Sequence, residues 1–232
     1  MNKEKIMAKA KDRKEIVGKI NMAADQYRKY LVGKQFMYVF DGRYIEVIYK
    51  AENFRHLTGV ETSLPAKTFY SYAARKILTT SQIGFSAKHP FALCVRKVEH
   101  IGEVAVMAGS ESFMLEEIST NTQSYKFGTT DLNFTLCMNK ELDTAGNEKG
   151  DCYVVQSLRD EDCFSKSKSA YSVTHIFSKQ NDKKKYTDLL FMDRNSNLTD
   201  LPDEIKLLLD EGLLTATSDS KEACDHEEAK IS

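Results

Sequence analysis

Apolar residues recur along this chain in two rhythms, and the change from one to the other divides it. Ile16, Ile20, Ala23, Tyr27 and Leu31 follow at steps of three or four, which predicts a helix over residues 4–31 with one buried stripe, stopped at Gly33. Two alternating runs follow, Gln35–Phe40 and Arg43–Lys50, joined by Asp41-Gly42, a strong hairpin signal. Helical spacing returns after Pro65 (Phe69, Tyr72, Ala73 and Ile77, to about Leu78) and after Pro90 (Phe91, Cys94, Val98, Ile101), and Gly102 and Gly109 mark the way out.

From about Ser112 the period shortens to two. Expected strands are Phe113–Ile118, Tyr125–Thr129, Leu132–Met138, Cys152–Leu158, Tyr171–Ser178 and Tyr186–Met192, with a turn at residues 143–147 and polar loops at 161–169 and 181–185. A last helix is expected near Pro202–Glu211, carrying Ile205, Leu208 and Leu209, and a disordered tail beyond about Thr215. Helices, a hairpin, more helices and a strand meander predict an α+β fold, with helices packed on a largely antiparallel β-sheet. The expected organisation is a basic N-terminal helix (1–34), an α+β domain (35–200), and a short helix with an acidic tail (201–232).

Composition narrows the class. With 232 residues, 41% hydrophobic and 29% charged, the chain is long enough to bury a core, and no run suits a membrane span. The charged start Met1-Asn2-Lys3-Glu4-Lys5 lacks the apolar stretch of a secretory signal, so a cytoplasmic protein is expected. Five widely spaced cysteines without a Cys-x-x-Cys pair read as reduced thiols, not as a zinc or redox motif. The net charge of −1 hides an asymmetry: residues 201–232 carry −6, so residues 1–200 carry +5. A basic body suits a polyanionic partner, although a solvated helix face explains the same residues. Phosphate-loop, dinucleotide-binding, nucleophile-elbow and His-Glu-x-x-His motifs are absent, and the five histidines match no metal-site spacing, so no cofactor and no metal are expected.

Candidate chemistry gathers at three places. Asn53-Phe-Arg-His-Leu-Thr-Gly-Val60 follows a strand and sets Arg55, His56 and Thr58 on an expected loop. Histidine exchanges protons near neutral pH, and arginine holds phosphate. The competing readings are that His56 orders its own loop, that Thr58 caps a turn, and that Gly59 serves the backbone. Gln156-Ser-Leu-Arg159 ends a strand; Arg159 suits a phosphate, or an ion pair with Asp160, Glu161 or Asp162. Near the strand Tyr171–Ser178, Lys179 suits a phosphate, while His175, between Val173 and Phe177 on one face, reads as a core histidine. Tyr125, Phe127 and Phe134 suit either base stacking or the core, with the core favoured.

Phe54-x-His56-Leu57-Thr58-Gly59 resembles the Phe-x-His-Leu-Thr-Gly signature of a phage-associated nuclease-like family, in the group named for barnase, EndoU, colicin E5/D and RelE. Ser157-Leu158-Arg159 and Ile176-Phe-Ser-Lys179 with Tyr186 resemble its C-terminal half, and the similarity spans roughly residues 25–193. Where that family often carries proline before Ser-Leu, this chain has Gln156. The resemblance implies an α+β nuclease fold and metal-independent RNA cleavage, with His56, Thr58, Arg159 and Lys179 catalytic and Arg55, Ser157 and Tyr186 binding substrate. It also leaves a second reading: a catalytically silent phage protein that grips and inhibits a host nucleoprotein or defence complex. In both cases the expected partners are RNA or a host or phage protein, not a membrane.

Overall fold

A computed structural model of the protein describes residues 3–107 and 110–215; Gly109 and the expected acidic tail lie outside them. Helix α1 spans Lys3–Tyr30, and Ile16, Ile20, Ala24, Tyr27 and Leu31 are buried along it. Strands β1 (Lys34–Phe40) and β2 (Arg43–Ile48) form the expected hairpin, in which Asp41 and Gly42 both take positive φ (50° and 67°), the primed turn that twisted strands favour. Three helices follow: α2 (Phe54–Thr58), α3 (Ala66–Ala74) and α4 (Phe91–Met107). The strands β3 (Phe113–Ser119), β4 (Ser124–Thr130), β5 (Thr135–Leu142), β6 (Glu148–Arg159), β7 (Ser169–Gln180) and β8 (Asp188–Met192) complete the sheet; α5 (Asp203–Lys206) follows, and residues 211–215 are again helical.

The fold is α+β as expected, but the sheet is not an open layer. Strand order β1-β2-β6-β5-β4-β3-β7 returns to β1 through a long β1–β7 antiparallel pairing, closing a seven-stranded barrel to which β8 adds along β7. Closure pairs each of these seven strands on both sides for at least part of its length, the β2–β6 seam through two residue pairs only. One strand pair is parallel, β2 with β6 at Val47↔Tyr153 and Ile48↔Val154; the intervening crossover holds α2, α3 and α4. The largest core joins α1–α4 to one face of the barrel, through Phe36, Tyr38 and Phe40 of β1 among others. On the opposite face of β1, Met37 and Val39 pack with Phe177, Tyr186 and the segment carrying Leu198, Leu201, Ile205 and Leu209.

Several expected boundaries move, each for a local reason. His56 sits on α2, not on a loop, because Phe54 and Leu57 are spaced to bury one helical face. Gly102 lies inside α4, where a Cβ would meet Gln26 Oε1 of α1 at 2.8 Å; its glycine serves close helix approach. Lys76 takes φ 59°, so α3 stops at Ala74, short of Leu78. Leu132 is exposed with φ 81°, and Asp131 Oδ1 accepts from Asn133 N at 3.0 Å, so this stretch is a turn and β5 starts at Thr135. The expected last helix shrinks to α5 because Tyr186 takes over the backbone beyond it, donating to Leu208 O (2.9 Å) and accepting from Asp210 N (2.9 Å).

Two register shifts re-aim side chains. On β7 the pairing with β1 skips Thr174, so Val173 joins the first core while Phe177 joins the second, breaking the expected single face. On β6 the pairing with β5 skips Gln156, so Val155 and Leu158 share the core although they are three residues apart.

Candidate nucleic-acid-cleaving site

Helix α2 presents His56 outward because its other face is fixed. Asn53 Nδ2 donates to Val155 O at 2.8 Å, which ties the helix start to β6 just before the Gln156 bulge. Gly59 ends the helix at φ 71°, a left-handed cap that glycine adopts without steric cost. His56 is exposed, with Arg55 Nη2 3.5 Å from its Nε2, and Arg55 Nη1 donates to Leu64 O at 3.1 Å. Partial burial and the adjacent guanidinium lower the His56 pKa below the ordinary imidazole value, so the ring is mainly neutral at neutral pH.

A cleft of roughly 760 Å³ opens beside it. From β6 the bulge turns Gln156, Ser157 and Arg159 into this cleft. Gln156 itself stands at the bulge, where the ladder with β5 is interrupted. Arg159 Nη2 donates to Thr120 Oγ1 (2.8 Å) and Thr122 Oγ1 (3.3 Å), its guanidinium lies 6.0 Å from the Tyr125 ring, and its buried Nε has no hydrogen-bond partner. It forms no ion pair with Asp160, which binds Arg96 (2.7 Å) and His100 (3.0 Å) of α4 instead and so fixes that helix against the end of β6.

Two lining residues escaped the sequence reading. His89, before α4, places Nδ1 3.3 Å from Glu61 Oε1, which also accepts from Ser86 Oγ at 2.9 Å; these contacts hold the Glu61 carboxyl below its usual pKa. The carboxylate accepts a hydrogen bond from Nδ1–H, which leaves Nε2 available for proton transfer. Lys97 of α4 is 8% exposed and lines the same cleft, yet among the described residues its ammonium makes no hydrogen bond and no ion pair. Burial, with the Arg159 charge nearby, lowers its pKa. Neither residue carried a motif: His89 stands alone before Pro90, and Lys97 reads as one more solvent-facing helix lysine. Arg55, Lys88, Lys97 and Arg159 thus face a single lining carboxylate, Glu61.

The cleft gathers Arg55, His56, Ser157 and Arg159, but not the other three residues singled out. Thr58 is fully buried; its Oγ1 donates to Arg55 O (2.7 Å) and accepts from Val60 N (3.3 Å), which is turn capping. Lys179 and Tyr186 belong to a separate buried cluster, where Tyr186 Oη donates to Glu46 Oε1 at 2.7 Å. There Lys179 Nζ lies 3.9 Å from that oxygen, 3.2 Å from Lys184 O and 4.4 Å from the Tyr186 ring centre. Phe127 and Phe134 are in the core, and Tyr125 is buried at the cleft wall. His175 is buried as expected, stacked on Phe177, though its Nε2 has no partner.

No curated protein matches the chain significantly, and no solved structure does. A family model does match, described as phage-Barnase-EndoU-ColicinE5/D-RelE like nuclease4, over residues 19–195; that range runs from α1 to just past β8 and contains the whole cleft. By this match over most of its length, the chain belongs to the phage-Barnase-EndoU-ColicinE5/D-RelE like nuclease4 family.

Proposed function

We propose that this protein is a ribonuclease of a phage or mobile element that cleaves RNA without a metal, by attack of the ribose 2′-hydroxyl on the adjacent phosphorus. The observation that carries this reading is the convergence of two imidazoles, His56 and His89, in a cleft where four cationic side chains face one carboxylate. His56, biased toward its neutral form, accepts the 2′-hydroxyl proton. The 2′-oxygen bonds to phosphorus as the bond to the 5′-oxygen breaks. His89, oriented by Glu61, donates a proton to that departing oxygen. The products are a 2′,3′-cyclic phosphate and a free 5′-hydroxyl. Arg55 and Arg159 offset the charge that builds on the phosphoryl oxygens.

Purified protein incubated with RNA in excess chelator tests this. Cyclic-phosphate ends in the wild type, and their loss in both His56→Ala and His89→Ala, are the expected results. Intact RNA across substrates and salt, together with a stable protein complex that survives His56→Ala, would overturn the enzymatic reading in favour of a binding module.

A further inference from the structure

We propose that Lys97 and Arg159 form a built oxyanion seat in the cleft, shaped for a phosphate group carrying two negative charges. An ammonium has three donors and a guanidinium five. Among the described residues nothing bonds to the Lys97 ammonium, whose stem is buried while its head lines the cleft, and the buried Nε of Arg159 has no hydrogen-bond partner. Burying a charge without a partner is costly, and two like charges close together add to that cost. Asp160, the carboxylate best placed to neutralise them, is already held by Arg96 and His100. Glu61 is engaged by Ser86 and His89.

The seat is also sterically prepared. The Lys97 stem runs against Gly59, where a Cβ would stand 3.1 Å from Lys97 Cδ and 3.7 Å from Nζ. The glycine that caps α2 therefore also clears the path of this lysine. Thr120 and Thr122 fix the outer edge of the Arg159 fork, so a ligand meets a guanidinium already oriented. An oxyanion accepting from both groups removes their mutual repulsion and satisfies their idle donors together.

In RNA, and resting on the ribonuclease reading, the seat holds the scissile phosphate. It gains most when that group acquires its second negative charge in the pentacoordinate transition state.

Titration of the whole protein with inorganic phosphate at constant ionic strength, read by calorimetry and by melting temperature, tests the seat without any RNA. The expected result is one saturable site, retained in His56→Ala and weakened at least tenfold in both Lys97→Met and Arg159→Gln. Lys97→Met should also melt no lower than wild type in phosphate-free buffer, since it removes a largely buried lysine whose charge sits near Arg159 and is held by no ion pair among the described residues. Should Lys97→Met fold poorly, Lys97→Gln serves the same comparison. Absence of a saturable site, or equal phosphate affinity in both Lys97 variants, overturns the proposal. Phosphate binding without RNA cleavage would leave the seat standing and remove only the ribonuclease reading. With cleavage present, Lys97→Met should lower kcat more than it raises KM.

Discussion

Two lysines of this protein are buried to the same extent, 8% exposed each, yet they stand in opposite surroundings. Lys179 has Glu46, a backbone carbonyl and the face of Tyr186. Lys97 has Arg159 nearby and, among the described residues, no ion pair, the neighbouring Asp160 being held by Arg96 and His100. Burial by itself therefore says nothing about role; what differs is whether the fold already supplies the partner. Where it does, as beneath β8 and α5, the charge helps fasten a segment to the barrel. Where it does not, the charge is left facing the cleft, open to water or to the oxyanion proposed above. Residues of the cleft should accordingly govern activity and spare stability, and those around Glu46 should do the reverse.

The largest test of that contrast is His56→Ala. Its side chain is exposed and supports little packing, so the melting temperature should stay within a degree or two. RNA cleavage should fall about 10²- to 10⁴-fold, the usual contribution of a positioned acid or base. A large drop in stability would place His56 on the structural side. Glu46→Ala probes the other region. It leaves Lys179 buried without its carboxylate and the Tyr186 hydroxyl without its acceptor, and should cost about 3 kcal/mol by denaturant titration. Cleavage measured where the variant is still folded should match wild type.

Local patterning decides much of the outcome. All eight strands and the three longest helices, α1, α3 and α4, follow from spacing, and the Asp41-Gly42 turn from its two residues. Barrel closure was not legible, because alternation specifies which face is buried but not which strand is the partner. The β1–β7 pairing joins residues such as Phe36 and Ser178 that lie far apart in the chain. Bulges at Gln156 and Thr174 were equally silent, since a one-residue slip is set by pairing and leaves no mark in composition. Those slips decide the site. They turn Ser157 and Arg159 toward His56, while Lys179 and Tyr186, grouped with them by motif, fall on the other cluster. Lys97 was missed because burial without an ion pair is a property of the fold, and His89 because its contact with Glu61, 28 residues away, is made only by the fold.

A smaller effect comes from the imidazoles. Burial lowers the pKa of His175, and partial burial with Arg55 lowers that of His56, so the folded state binds fewer protons than the unfolded chain below the ordinary histidine value of about 6.5. Their stabilising contribution is complete above that pH and is lost as pH falls from there through the folded-state values. The slope is at most about 1.4 kcal/mol per pH unit for each site. Melting curves between about pH 7.5 and 5.5 should show this decline, and His175→Phe, which keeps a ring against Phe177, should flatten it. Because His175 lies outside the cleft, the same substitution should leave the acid limb of the cleavage profile in place, whereas that limb should follow His56.

Gly59→Ala is the finest test, because it touches both regions' logic at one atom. The residue sits at φ 71°, where a side chain costs about 1 kcal/mol, so a modest loss of stability is expected from the backbone alone. The new methyl would also stand 3.1 Å from Lys97 Cδ. That stem must shift by a few tenths of an ångström, and its ammonium with it. Phosphate affinity should then fall several-fold in Gly59→Ala, while a control at another positive-φ glycine, Gly146→Ala, in the β5–β6 turn with open space around its Cβ, should show the backbone cost without the affinity loss. Equal phosphate affinity in the two variants would mean that the position of Lys97 is not what the cleft depends on.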